Sequence, residues 1–557
     1  MDNQRLFLWA ALGLVYLMLY NAWVADHRPQ PGATPPAEQA AALPQAAEDG
    51  QLPALADDLP PAPQTGDMPS AAEVAPTQAP PRGQTITVRT DVLDVEINTE
   101  GGDISRAELP AYPVNKKDPD NPVQLLSSQT SDLYLLQAGL RAVEASNAPT
   151  HLASFEAGNT SYELADGQEA LDVVLTWRSG TGVVVEKIYT FGRGRYDIQL
   201  NYRVTNNSAQ SWSAAPYLQL KRRHRPAKRS MVSVDSYSFT GPVYYDGSRY
   251  DKLDVDDLKD EPLDASLTNG WLASIEHHFL AAAVPPVEQS YRFTSRVDSN
   301  DVYTLSAIGP LAEVAAGSTR DYNAQLFVGP KLQRQLEETA PGLKLSVDYG
   351  FLTILSQPLF AVLQFIHNLV GNWGWSIILL TILIKLAFYP LQEKSGRSIA
   401  KMRKLQPRMK ELQERHKDDR QALSQAVMEM YRKEKANPAA GCLPVLLQMP
   451  VFLALYWVLI ESVEMRQAPF ALWITDLSSR DPYFILPALM AGAMFLQQKL
   501  NPPPPDPVQA KVMMFLPLIF SVFFAFFPAG LVLYWVVNTV LSVAQQWKIN
   551  RAIEAEG

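Results

Sequence analysis

Thr381, Lys385, Tyr389 and Gln392 step by four, four and three through an otherwise apolar stretch, so a helix gathers them on one face. Tyr534, Asn538, Ser542 and Gln545 repeat the same steps near the end of the chain. Gln448 lies inside a third apolar run, and Ser521 sits one turn after Pro517. A hydroxyl, an ammonium, phenols and amides on facing stripes can hydrogen-bond and attract negative charge. They form no nucleophile–base set, and without carboxylates they are poorly suited to proton relay. Nor does the chain contain a GxxxxGK[ST], HExxH, GxSxG or CxxC pattern. No enzyme activity, cofactor or metal is expected.

Lys385 sits within Trp373–Leu391, nineteen residues without another charge, the length of a bilayer-crossing helix. A charge near the middle of such a helix costs about 2.5–3.5 kcal/mol on insertion scales. None of the apolar runs after residue 360 holds an Asp or Glu, so pairing within the membrane does not explain it. Two readings remain. Lys385 is seven residues from Gln392, about 10 Å of helix, and a lysine stem can snorkel part of that distance. Alternatively it faces a water-filled groove between helices. Polar stripes on several runs favour the groove, because snorkelling needs no polar companions.

The elements that must hold these stripes are unlike the rest of the chain. The net charge of -10 averages over dissimilar parts. Residues 393–435 carry 13 Lys plus Arg against 7 Asp plus Glu, so the remainder stands near -16. An acidic body with one basic segment argues against a general nucleic-acid binder. The single cysteine, Cys442, excludes an intrachain disulfide and reads as a buried structural thiol. His277-His278 at the head of a strand-like run reads as structural, one ring facing the core or a neighbour.

Residues 1–25 read as an uncleaved transmembrane anchor; bulky Trp23 at the -3 position disfavours signal-peptide cleavage after Ala25. Residues 26–83 follow as a disordered linker, with 13 Pro and 14 Ala between 26 and 82 and no aromatic residue. From 84 to 340 runs such as TITVRTDVLDVEINTEGGDI and LDVVLTWRSGTGVVVEKIYTF alternate with period two, predicting one large all-β sandwich. Residues 341–360 fit an amphipathic interfacial helix. The rest reads as an all-α polytopic core: a transmembrane helix over 361–391, a basic hairpin over 392–440, four further spans over 441–547 and a short tail, 548–557. Five spans here, six with the anchor, follow. The basic loop fixes the hairpin, the C-terminus and, through two crossings, the N-terminus as cytoplasmic. The β domain then lies outside, in the periplasm of a Gram-negative inner membrane.

Within the hairpin, Met402, Leu405, Met409 and Leu412 step by three, four and three, and Leu423, Val427 and Met430 by four and three. Two amphipathic helices folded back on each other follow, with an irregularity at Pro407. Arg403, Lys404, Arg408 and Lys410 are its candidate docking cations, for ribosomal RNA, lipid head groups or a charged nascent chain. A solvated structural hairpin is the competing reading.

GNWGWSIILLTILIKLAFYPL, MRKLQPRMKELQ, KANPAAGCLPVLLQMPVFLALY, RQAPFALWITDLSSRDPYFILP and FPAGLVLYWVVNTVLSVAQQW closely resemble the YidC family of membrane-protein insertases, which has mitochondrial and chloroplast relatives. The resemblance covers essentially everything after residue 350, and TDVLDVEINTEGGDISRAELPAYP resembles the periplasmic sandwich of Gram-negative members. It implies a five-helix core with a cytoplasm-open hydrophilic groove that inserts, folds and helps assemble inner-membrane proteins, alone or with the Sec translocon. The implied partners are nascent inner-membrane proteins, the Sec translocon, the ribosome and membrane lipids. Lys385 matches the family's groove cation, usually an arginine; Thr381, Gln448 and the pair Tyr534-Trp535 match groove or client-contact positions, beside Asn538 on the polar stripe. Lysine keeps the charge but lacks the planar guanidinium fork. The mixed-charge tail KINRAIEAEG departs from the long basic tail of some relatives, which leaves ribosome contact mainly to the hairpin. The alternative from another class is a small-molecule transporter or channel with a periplasmic binding domain, although no internal repeat is visible.

Overall fold

A computed structural model describes residues 83–143, 148–225, 238–416, 419–434, 443–500 and 507–555. The anchor expected over 1–25, nearly all of the linker and Cys442 lie outside the described residues.

The alternating runs form two packed sheets, one of eleven and one of nine strands. In Val183–Gly192 the buried positions are Val183, Val185, Lys187, Tyr189 and Phe191, every second residue. This strand pairs antiparallel with Asp197–Asn206 and Ala170–Arg178. Asp197–Asn206 in turn pairs with Thr319–Pro330. Period two thus puts one face of each strand into the space between sheets, as a sandwich requires. Phe279–Val284 departs from alternation because all six residues are buried, and its three alanines fit a strand covered on both sides.

One inward residue is a lysine. Lys187 is fully buried and reaches from the nine-stranded sheet to Asp103 of the other, 2.5 Å away. It also donates to the carbonyls of Gly101 (3.1 Å) and Ala138 (3.0 Å). Burial pushes its pKa down, while Asp103 opposes the shift. The Gly101-Gly102 turn that presents the carbonyl runs at φ 79° and 61°, and a Cβ on Gly101 would stand 2.3 Å from the His151 carbonyl oxygen. Only glycine suits both demands.

After a short helix, Gln333–Thr339, the chain turns helical. Helix α1, Thr353–Val370, exposes Ile354, Phe365 and Leu369 and buries Phe360, Leu363 and Ile366, an amphipathic division. It continues ten residues past the end expected at 360, stopping at Gly371 in the left-handed region. Asn372 then caps α2, Trp373–Ala387, by accepting from the Trp375 N–H. The span expected to run to 391 breaks at Phe388, and α3, Tyr389–Lys404, leaves at 69°. Pro390 explains the break, since its ring would meet the Leu386 carbonyl and it has no N–H to donate.

The hairpin follows as α4, Gln406–Arg415, and α5, Arg420–Lys433. Its irregularity falls at Leu405, with Pro407 in the first turn of α4, where proline is tolerated. Then come α6, Leu443–Glu461, α7, Ile485–Leu500, α8, Pro507–Phe524, and α9, Ala529–Ala555. Asp481 starts α7: its carboxylate accepts from Leu486 N (2.7 Å), Tyr483 N (3.0 Å) and Trp473 Nε1 (3.0 Å). Helix α8 turns Phe515, Ile519, Val522 and Phe523 outward, an apolar face of the kind that borders lipid.

The two halves meet in a polar seam. Arg466 and Gln467 donate to the Pro113 carbonyl at 2.9 and 3.0 Å. Lys116 Nζ reaches the carbonyls of Gln467 (2.9 Å) and Thr475 (2.7 Å). Ser238 donates to Glu461 at the end of α6, and His277 Nε2 lies 3.0 Å from the Ile460 carbonyl oxygen.

Candidate functional site

Helices α2, α3, α6, α7, α8 and α9 surround an open cavity of about 480 Å³. Its polar wall carries Lys385, Gln392, Gln448, Asn538, Ser542 and Gln545, while Met449, Met494, Leu516 and Phe520 form the apolar side. A pocket of this size with one cation and several amides binds polar groups by hydrogen bonding and negative groups by attraction.

Lys385 is half-buried and donates to Ser542 Oγ at 2.6 Å and to Gln392 Oε1 at 3.3 Å. Among the described residues no carboxylate stands within ion-pair distance of it. The ammonium therefore aims across the cavity at α9 and stays within the helix cluster. Ser542 Oγ in turn donates to the Asn538 carbonyl, so it offers Lys385 its lone pairs. Gln392 reaches Lys385 from beyond the α2–α3 bend, which joins the two parts of the expected stripe by folding rather than by continuous helix.

Gln448 Nε2 donates to the Tyr534 hydroxyl at 3.1 Å, tying α6 to α9. Trp535 lines the cavity and stands edge-on to Phe452, ring centroids 4.9 Å apart. Asn538 lines it as well, although only 6% exposed. Three expected wall residues sit elsewhere. Thr381 is 1% exposed and donates to its own helix at Ile377, so it packs between helices instead of facing the cavity. Tyr534 is likewise buried and touches the wall through Gln448. Tyr389, placed on the stripe by spacing, lies past the bend and off the wall.

The structure adds Gln497, Ser395, Thr539 and Gln546 to the lining. Gln546, four residues beyond Ser542, and Ser395, three beyond Gln392, continue stripes already visible. Gln497 carries no such signal, because the α7 run has no repeating polar step.

The four hairpin cations, Arg403, Lys404, Arg408 and Lys410, are all exposed, and two of them also hold partners. Arg408 pairs with Glu434 across the hairpin at 2.7 Å. Lys404 points back to the last turn of α9, donating to the Ile553 carbonyl at 2.7 Å.

Titratable groups also collect at the seam. Burial lowers the buried Lys331 to about 8, against the pull of Glu461. Burial lowers His278 well below the ordinary histidine range, assisted by His277, Lys331 and Arg466. Glu464, whose Oε2 is buried without a hydrogen-bond partner, is raised by burial to about 7. The histidine pair thus packs at the junction of the two halves, one ring against α6 and one buried. Among the described residues no cluster of His, Cys, Asp and Glu has metal-binding geometry.

Residues 365–556 match the family model described as 60Kd inner membrane protein, and residues 85–362 that described as YidC periplasmic domain. The membrane protein insertase YidC of Thioalkalivibrio sulfidiphilus (strain HL-EbGR7) is 50% identical over 566 residues, covering 100% of both chains. That of Nitrosococcus oceani is 46% identical, again covering 100% of both. A solved structure described as an active YidC insertase with its first transmembrane domain resolved is 18% identical and covers 83% of this chain and 94% of its own, with a TM-score of 0.38.

Proposed function

The chain belongs to the YidC family of membrane protein insertases, and from that premise we propose that the cavity around Lys385 receives the polar segment of a client membrane protein during insertion. The observation that carries the reading is the bonding of Lys385, which is held by Ser542 and Gln392 toward a polar cavity with no carboxylate partner among the described residues. A cation fixed by neutral oxygens keeps its field for an incoming negative group. The step needs no covalent chemistry. Bringing a charged residue unaided into the bilayer centre costs about 2.5–3.5 kcal/mol on insertion scales. A polar cavity offers hydrogen bonds part-way across and lowers that barrier. The client's apolar helix then leaves along the outward faces of α7 and α8 into lipid.

In this reading α2, α6, α7, α8 and α9 are the five spans of the core, α1 lies at the interface, and residues 1–25 add the anchor. The hairpin's basic residues support a reading with the hairpin and both termini in the cytoplasm and the β sandwich in the periplasm of the inner membrane. Lys385, Gln448, Trp535 and Asn538 serve the client directly; Tyr534 and Thr381 hold the wall from behind. Arg403 and Lys410 meet the ribosome or anionic lipid, and the translocon and nascent chains are the remaining partners. The transporter alternative draws no support from relatives named as insertases over their full length. The test is reconstitution of the full chain in liposomes with an acidic-tailed single-span client. Protease-protected client is the expected result. Solute flux without client insertion would overturn the reading.

A further inference from the structure

The far end of α9, from Gln546 onward, packs along α3, the helix from which the hairpin springs. Gly396 makes the closest approach. A Cβ there would stand 2.7 Å from Ile549 Cδ1 and 2.9 Å from Gln546 Oε1. Gln546 Nε2 donates to the Gly396 carbonyl at 3.3 Å and to Asn550 Oδ1 at 2.8 Å. One turn on, Ala400 buries against Ile549 and Ile553 in a small apolar cluster of their own. One further turn brings Lys404, whose ammonium donates to the Ile553 carbonyl at 2.7 Å. That carbonyl is among the last four of α9, which lack partners within the helix and concentrate its negative dipole end. Residues 396, 400 and 404 thus present glycine, alanine and a cation in order along one face.

The other side of α3 carries the hairpin. Met402 and Leu405 pack with Ile399, Met430 and Tyr431, joining α3 to α5. The same contact region borders the cavity, since Ser395, Gly396, Ile399, Gln546 and Ile549 all line it.

We propose that residues 546–555 of α9 are a brace, clamped by Lys404, that fixes the hairpin's pose over the cytoplasmic mouth of the groove. Lys404 is a positioning residue in this scheme, and Arg403 and Lys410 are the cations presented to a polyanionic ribosome surface. The inference rests on the insertion reading given above, with the brace itself open to a separate measurement.

The experiment uses the full chain in lipid nanodiscs, in a Cys442→Ser background, with spin labels at positions 414 and 548. Distances between the labels are compared for the parent, Lys404→Met, Lys404→Arg and Gly396→Leu, and insertion is followed against the concentration of ribosome-bound client. Lys404→Met and Gly396→Leu are expected to broaden the distance distribution. They are also expected to raise the half-saturating concentration about fivefold, more than they lower the saturating yield. Lys404→Arg, which keeps a donor and a charge, is expected to restore both. If Lys404→Met weakens docking while the distances stay sharp, Lys404 is itself a docking cation and the brace is overturned. Broadened distances with unchanged docking overturn it as well. Failure of the parent to insert client speaks against the insertion reading, whereas the distance measurement judges the brace independently.

Discussion

At the residue scale two lysines carry the account, and they differ in what surrounds them. Lys385 has neutral partners and an open cavity; Lys187 has a carboxylate and no solvent. Replacing Lys385 by Glu is expected to lower insertion of an acidic-tailed client about tenfold, because a charge-assisted contact worth roughly 1.5–3 kcal/mol becomes a repulsion. Lys385→Arg is expected to stay near the parent, and a protease-protection assay over a series of client charges checks both. At Lys187 the asymmetry runs through stability. Asp103→Ala strands a buried ammonium and is expected to cost about 3–5 kcal/mol, while the double change Lys187→Met with Asp103→Leu costs far less. Urea unfolding of the two proteins separates the cases; equal losses would contradict the buried-pair description.

At the element scale, period read well from sequence, while lengths did not: α1 ran past its expected end and the span expected to 391 broke at Phe388. The period-two runs became strands, and Met402, Leu405 and Met409 became buried positions at the hairpin and its base, with Met430 partly buried against Met402 and Leu405. Lys187 itself was readable, since VVVEKIYTF puts it in phase with Val185 and Tyr189. What spacing could not give is the path of the chain past a proline. Thr381, Lys385, Tyr389 and Gln392 count as one stripe only along a straight helix, and Pro390 bends that helix by 69° between α2 and α3. Lys385 and Gln392 meet across the bend, while Tyr389 leaves the wall and Thr381 faces a neighbour. Nor could spacing reveal that Lys404 turns to α9, because its partner is a backbone carbonyl with no side-chain signature. Pro390→Ala is expected to favour a straighter α2–α3 and to separate Lys385 from Gln392. Spin labels at positions 379 and 397 would report a longer, broader distance; an unchanged distance would mean that packing, not proline, sets the bend.

At the scale of the whole molecule the β sandwich and the helices are joined by groups that titrate. Glu464 has its pKa raised from 4.5 to about 7 by burial, so its protonated form favours the folded, docked state. That contribution is complete below pH 4.5, falls as pH rises toward 7 and is gone above it. The shift corresponds to about 3 kcal/mol at most. Stability of the full chain is therefore expected to decline between pH 5 and pH 7, and Glu464→Gln to flatten the decline; a parallel slope in the variant would assign the effect elsewhere. His278 acts in the opposite sense, since its depressed pKa withdraws stability as pH falls below the ordinary histidine range. The central claim, however, concerns the cavity, and site-specific crosslinking from positions 385, 448 and 535 to a ribosome-stalled client tests it most directly. The account predicts crosslinks from all three to the client's polar segment and its flank, with few from position 519 on the outward face of α8 until the client's apolar helix emerges. Crosslinks from position 519 at every client length, with none from 385, 448 or 535, would contradict it.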